Sequence, residues 1–158
     1  MASQTRQFAE QLSGALRSYT KPSITELAYS TEDDFRVMNL RPHLDRLNLS
    51  DCTIHTFIVC RDRVPMRTAG RDRCGYRFGF TMEVSMIRKL TSVDATLQPG
   101  SQQQLDGCME YAEWVQDIVG GNLEVAARSL TDMNVLALPE VDIAETGMWM
   151  CDMELTYG

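Results

Sequence analysis

The sequence predicts an α+β domain: a mainly antiparallel sheet that contains a long β-hairpin and is flanked by helices on one side. Three observations predict this class. Several segments alternate apolar and polar residues, two segments repeat apolar residues at helical spacing, and a turn rich in glycine and arginine separates two strand-like segments. We expect the 158 residues to form one domain, from which a hairpin arm projects at about 61–77.

The composition indicates a soluble globular protein, with 44% hydrophobic and 23% charged residues. A net charge of −7 argues against nucleic-acid binding over the whole surface, because phosphate contacts need a basic footprint. Five irregularly spaced cysteines favour a reducing compartment. The start of the chain lacks a signal-peptide pattern and no segment is apolar enough to span a membrane, so we expect no membrane partner.

The first predicted helix carries an amphipathic stripe, and Pro22 is expected to end it. Its apolar positions are Phe8, Leu12, Ala15, Leu16 and Tyr19. A strand is predicted next, at about 35–41, and Pro42 should end it. Ser30 and Asp33 resemble a helix capping box, so a short helix in this region remains an alternative.

Two segments rich in β-branched and aromatic residues, "CTIHTFIVCRDRVPM" and "GYRFGFTMEVSMIRKL", predict the long hairpin. The turn between them is "RTAGRDRCG". The outgoing strand alternates apolar with polar positions, which places one of its faces in the core. The core positions are Tyr76, Phe78, Phe80, Met82, Val84 and Met86.

A second helix is predicted at roughly 102–119, with Gly120 and Gly121 as its stop signal. Its apolar stripe consists of Leu105, Cys108, Met109, Ala112, Val115, Ile118 and Val119. Asn122 is a candidate cap for a further short helix, "NLEVAARSL", and "MNVLALPEV" then predicts a strand. The final strand is predicted to bury Trp149, Cys151, Met153, Leu155 and Tyr157.

Residue types used in catalysis or metal binding do not occur at a convincing spacing. Cys52 and His55 have a metal-ligand spacing, but a zinc site needs four ligands and His43 is the only other histidine. The acidic residues are better explained as solvated flanks; they are Asp33, Asp34, Glu110, Glu113 and Asp117. We therefore predict no catalytic, cofactor-binding or metal-binding residue, no cofactor and no enzymatic activity.

Six arginines crowd the predicted hairpin, where Asp62 and Asp72 are the only acids. A solvated, salt-bridged loop is one interpretation. Because guanidinium groups form bidentate pairs with carboxylates and phosphates, the alternative is an arm that binds an acidic partner. The partner-binding candidates are Arg61, Arg63, Arg67, Arg71, Arg73 and Arg77.

Methionines are concentrated in the final strand, "GMWMCDMELTY". Methionine and aromatic residues at alternating positions are typical of a core. The other face of this strand carries Met148 and Met150, which we predict as candidates for a subunit interface.

The order of these parts resembles the tail terminator, or tail completion, proteins of long-tailed bacteriophages and the related neck proteins. The segments that carry the resemblance are the "YAEWVQDIVGG" helix and, above all, the closing "PEVDIAETGMWMCDMELTY". The likeness covers most of the chain as architecture, but only about the last twenty residues as sequence. The run "PHLDRLNLSDCT" shows no feature of the family.

The resemblance implies a non-enzymatic virion structural protein in the tail or neck, assembled in the host cytoplasm. Its partners would be further copies in a homo-oligomeric ring, expected to be a hexamer, the tail-tube protein, and a head connector or adaptor protein. The ring would cap the tail tube and join it to the head, and DNA would pass through without specific binding. Alternatives are another neck or tail-tube protein of the head-closure type, and a small enzyme or nucleotide-binding module.

Overall fold

The computed structural model describes residues 2–42, 52–67, 76–90, 99–137 and 147–158. Their helices and strands are α1 (Gln4–Arg17), β1 (Ala28–Met38), β2 (Thr53–Arg67), β3 (Tyr76–Lys89), α2 (Pro99–Gly120), β4 (Leu130–Ala137) and β5 (Met148–Tyr157). The predicted α+β class is confirmed. Neither helix in this described part is long and apolar enough to cross a membrane.

The strands form one mostly antiparallel sheet in the order β1-β2-β3-β5-β4. Antiparallel pairs join β2 to β3, β3 to β5 and β5 to β4, whereas β1 runs parallel to β2. The last strand in chain order therefore lies inside the sheet. Of the strands within the described ranges, β1 and β4 lie at the edges.

Neighbouring strands β3 and β5 place their predicted apolar faces in one main core, which also includes residues of both helices. On β3 the buried residues are Phe80, Met82, Val84 and Met86. On β5 they are Trp149, Cys151, Met153, Leu155 and Tyr157. The two-residue period thus identifies the main core face of both strands correctly.

The opposite face of β3 is buried as well, which the period of two does not predict. Thr81, Glu83 and Ser85 have exposed fractions of 8%, 3% and 0%. Next to them a second apolar cluster contains Phe57, Val59, Ile87 and Met150. Polar side chains at alternating positions indicate a solvent face, so this burial is not apparent from the strand's own sequence.

Ser3 caps α1, since its hydroxyl accepts a hydrogen bond from a backbone N–H of the first turn at 3.1 Å. The apolar face of the helix packs on the sheet, where the Phe8 and Phe80 rings stack with centroids 4.9 Å apart. The helix ends at Arg17, before the stop that Pro22 predicts.

Helix α2 contains the predicted segment 102–119, with Ala112 and Val115 buried and Ile118 partly buried against the core. Met109 was expected on the apolar stripe, but it is 53% exposed. The buried stripe is narrower than predicted and consists of Cys108, Tyr111, Ala112, Val115 and Val119. Met109 lies beside this stripe, on the flank that carries the acidic residues.

Strand β1 spans Ala28–Met38, so it begins and ends earlier than the strand predicted at about 35–41. Ser30 and Asp33 belong to this strand and not to a helix cap. The chain adopts a left-handed φ of 49° at Phe35, where the pairing with β2 shifts register. A polar edge strand with an irregular register lacks a clear two-residue period, which explains the error.

The segment after α2 forms a tight turn in place of the short helix predicted from its sequence. Val125 and Arg128 exchange two backbone hydrogen bonds, of 3.0 and 2.9 Å. Between them Ala126 and Ala127 have φ values of 51° and 59°, which is the geometry of a type I′ turn. Such turns favour Asn-Gly, so two alanines with high helix propensity do not signal one.

Arg88 is a fully buried cation at 0% exposure that joins three parts of the chain. Its guanidinium donates to the carbonyl of Lys89 at 2.9 Å, to the Gln104 side chain at 3.1 Å and to the carbonyl of Glu26 at 3.2 Å. It therefore connects β3 to α2 and to the segment before β1. These three acceptors are neutral oxygens that bind its two terminal nitrogens, while its buried Nε has no hydrogen-bond partner among the described residues.

Replacing Ala126 with Asn and Ala127 with Gly should stabilise the protein, because this pair suits the left-handed turn. Alanine in that conformation costs roughly 1–2 kcal/mol per residue, so we expect the free energy of unfolding to rise by about 1–2 kcal/mol. Urea denaturation measures the change. As a control, Ala15→Gly in α1 should lower stability by about 0.5–1 kcal/mol. An unchanged or lower stability of the Asn-Gly variant would contradict the turn geometry.

Candidate functional site

The arginines predicted to bind a partner lie where β2 ends and β3 begins. Arg61 and Arg63 are on β2, and Arg77 is on β3. Arg71 and Arg73, and the side chain of Arg67, lie outside the described residues. Three of the six candidates therefore have a described environment, and these environments differ.

Arg61 takes part in an ion-pair network on the face of the second apolar cluster. The Glu83 carboxylate, whose side chain is 4% exposed, accepts hydrogen bonds from Arg61 and, at 2.9 Å, from Arg41. Arg41 also pairs with Asp152, which accepts a hydrogen bond from the Ser85 hydroxyl at 2.8 Å. Arg61 therefore neutralises a buried carboxylate of its own chain, and its binding to a partner stays a prediction.

Arg63 and Arg77 form no ion pair with a carboxylate of the described residues. The guanidinium carbon of Arg63 lies 3.7 Å from the centroid of the Phe78 ring, a cation–π contact. Both arginines are solvent-exposed. These two candidates are the ones that the described structure leaves available to a partner.

Arg128 joins Arg63 and Arg77, although it is distant in sequence and was not predicted. It donates to the carbonyl oxygen of Phe78 and lies 4.9 Å from the centroid of the Phe80 ring. Partial burial lowers the pKa of its guanidinium, and the charges of Arg77 and Arg63 lower it further. We call these three residues, Arg63, Arg77 and Arg128, the arginine cluster.

One signal in the sequence could have identified Arg128, because it is the only basic residue after Lys89. What could not be predicted is the type I′ turn that brings it back over β3. The sequence predicts a helix at this turn, and a helix would not have indicated that Arg128 contacts β3.

Strand β4 is an edge strand with little burial on either face. Among the strands that the structure describes, it pairs only with β5. Leu136 is 60% exposed and Val135 is 37% exposed. An edge with unpaired backbone groups and exposed apolar side chains can add a strand or pack on another chain. The arginine cluster adjoins it, since Arg128 precedes β4 by two positions.

The methionines predicted at a subunit interface lie on β5, between β3 and β4. Met150 is 8% exposed and packs in the second apolar cluster, and Met148 is partly buried against that cluster. Both therefore contribute to packing within the chain. The open edge next to them belongs to β4.

Side chains considered for catalysis or metal binding are dispersed. His55 is 4% exposed within β2, Cys52 is exposed, and His43 lies outside the described residues. No group of three or more potential metal ligands occurs among the residues that the structure describes. Burial raises the pKa of the Cys108 thiol to about 12 and that of Cys151 to about 11, so both stay protonated at neutral pH.

The acidic residues considered for catalysis are divided between β1, which contains Asp33 and Asp34, and α2, which contains Glu110, Glu113 and Asp117. Asp34 pairs with Lys21 at 2.6 Å, and Glu110 and Glu113 are exposed on α2.

The chain matches no model of a known protein family, and a search of curated proteins likewise gives no match. The interpretation of the site therefore depends on its geometry.

Replacing Glu83 with Ala should destabilise the fold, because Arg41 and Arg61 then lose the carboxylate that they share. The arginines are about half exposed and can rehydrate, so we expect a loss of about 2 kcal/mol, below the usual cost of breaking a fully buried pair. Glu154→Ala is the control, since Glu154 is the exposed residue opposite Glu83 on β5. Equal stability losses in the two variants, measured by thermal or urea denaturation, would argue against the network.

Proposed function

We propose that this chain is a non-enzymatic structural protein of the bacteriophage virion. It forms a homo-oligomeric ring, expected to be a hexamer, that terminates the tail tube and joins it to the head connector. The proposal extends the resemblance of the closing segment, whose final strand is β5. DNA passes through the ring without specific binding, in line with the net charge of −7.

The observation that carries this proposal is the open edge at β4. Eight residues, Leu130–Ala137, form a strand whose outer backbone has no partner strand among the residues that the structure describes, and Leu136 is 60% exposed. An open strand edge with exposed apolar side chains is a liability for a monomer, and natural proteins usually blunt or cover such an edge. A neighbouring copy would cover it, and a ring covers every such edge in the same way.

The finer architecture belongs to the same proposal. The antiparallel pairing of β2 with β3 extends to Arg67 and Tyr76, which supports a long hairpin closed by residues 68–75. Both helices contribute side chains to the main core, which supports their packing on one side of the sheet. A subunit of this kind presents a sheet edge to its neighbour and an arm to the next ring.

The tip of that arm carries Arg67, Arg71 and Arg73. We propose that the tip docks on an acidic surface of the tail-tube protein or the head connector, where guanidinium groups can form bidentate pairs. The arginine cluster lies at the base of the arm and not at its tip, so its charges are beside the open edge of β4.

Purified protein should form a discrete ring near a sixfold multiple of the 17.9 kDa chain mass. Mass photometry gives the stoichiometry, and negative-stain images show whether the particle has a central channel. We expect assembly because a neighbouring copy would bury the exposed apolar side chains of β4 and pair its open backbone edge. A protein that stays monomeric in both measurements, up to the highest soluble concentration, would overturn the proposal.

Charge reversal at the tip, Arg67→Glu with Arg71→Glu and Arg73→Glu, should weaken attachment to tails or heads and leave the ring intact. Exposed charge pairs act mainly on encounter, so we expect at least about a tenfold slower joining at low salt. An in vitro head–tail joining assay measures this rate. Joining at the parent rate would move the docking contact away from the arm.

A further inference from the structure

The charges of this chain are segregated along its length. Residues 99–158 contain eleven acidic residues and one basic residue, Arg128, whereas residues 1–98 contain eleven acidic and fourteen basic residues. The fold brings Arg128 to Phe78, whose carbonyl oxygen it contacts and whose ring contacts Arg63, and Arg77 precedes Phe78 on β3. One end of the sheet thereby becomes basic while the rest of the final sixty residues stays acidic.

The acidic counterpart is a stripe along the solvent side of α2. Its four carboxylates follow one another at spacings of four, three and four residues, which aligns them on one helix face. All four are exposed, and the helix contains no lysine or arginine. We call Asp106, Glu110, Glu113 and Asp117 the acidic stripe.

Neither surface is neutralised within the described part of the chain. No ion pair there joins the stripe to a cation or the cluster to a carboxylate. Like charges at a spacing of three or four residues on a helix destabilise it, and the three guanidinium groups repel one another. Isolated subunits therefore carry two unfavourable charge groups of opposite sign.

Apolar residues accompany both surfaces. Met109 lies within the acidic stripe and is 53% exposed. The arginine cluster adjoins β4, where Leu136 is 60% exposed. An interface needs apolar area in addition to complementary charge, since exposed ion pairs contribute little by themselves.

We propose that the arginine cluster of one copy binds the acidic stripe on α2 of the next copy. The two surfaces are different parts of the same chain, so the contact is head-to-tail and continues from copy to copy. This inference rests on the proposed ring and identifies the subunit contact within it. Charge complementarity selects a second copy as the occupant, because every copy supplies both surfaces in equal number.

Two charge-reversal variants test the contact. The basic-face variant is Arg63→Glu with Arg77→Glu, and the acidic-face variant is Glu113→Lys with Asp117→Lys. Each should shift half-assembly to at least about tenfold higher concentration, because like charges then face each other. An equimolar mixture of the two should recover assembly, since each variant complements the other. Analytical ultracentrifugation measures all three samples.

Control experiments test for effects on folding and for the effect of a charge reversal elsewhere on β3. Lys89→Glu reverses an exposed charge on β3, as Arg77→Glu does, and should assemble like the parent. Melting temperatures of the variants should remain close to that of the parent, because the four altered residues are exposed. Arg128→Gln should weaken assembly further in the basic-face background, and no added effect would remove Arg128 from the contact.

The outcomes separate this inference from the proposed function. If the parent forms rings and both variants form them equally well, the inference is overturned and the ring stands. If each variant alone is defective and the mixture does not recover, the contact between these two surfaces is likewise overturned. A parent that never assembles overturns both, because no second copy is then bound.

Discussion

The antiparallel pairing of β5 with β3 is the interaction on which the rest of the structure depends. It joins Phe80–Lys89 to Met148–Tyr157 and brings residues 148–157 next to β3. Strand β4 pairs with no other described strand, so its position, and that of Arg128 before it, follows from β5. The main core needs the same pairing, because Met153, Leu155 and Tyr157 fill it from β5.

The periodicity of apolar residues correctly predicted which faces of individual strands and helices are buried in the main core. The alternation in β3 and β5 identifies their shared core face, and the helical spacing in α2 locates Ala112 and Val115 correctly. Predictions failed where tertiary contacts outweigh propensity. The polar sequence of β1 conceals an edge strand with a left-handed residue at Phe35, and Ala126 and Ala127 form a strained turn that their helix propensity opposes.

The candidate site shows the same division. Clustering in sequence points to Arg63 and Arg77, and the described structure leaves both without a carboxylate. The same clustering cannot distinguish Arg61, because its partner Glu83 is contributed by another strand and is buried only in the folded sheet. The position of Arg128 could not be predicted, because it depends on both the type I′ turn and the pairing of β4 with β5. Charge patterns therefore indicate candidate residues, while long-range pairing determines which of them share a surface.

The internal position of β5 also affects how the protein is made. While the chain is being synthesised, β2 and β3 emerge well before residues 148–157, so one edge of β3 must wait unpaired outside the ribosome. Pairing between elements far apart in sequence is slow and leaves strand edges open to aggregation. The edge at β4 forms only after β5 has joined, so a half-made chain cannot present it. Synthesis therefore leaves β4 without its partner strand until residues 148–157 have emerged.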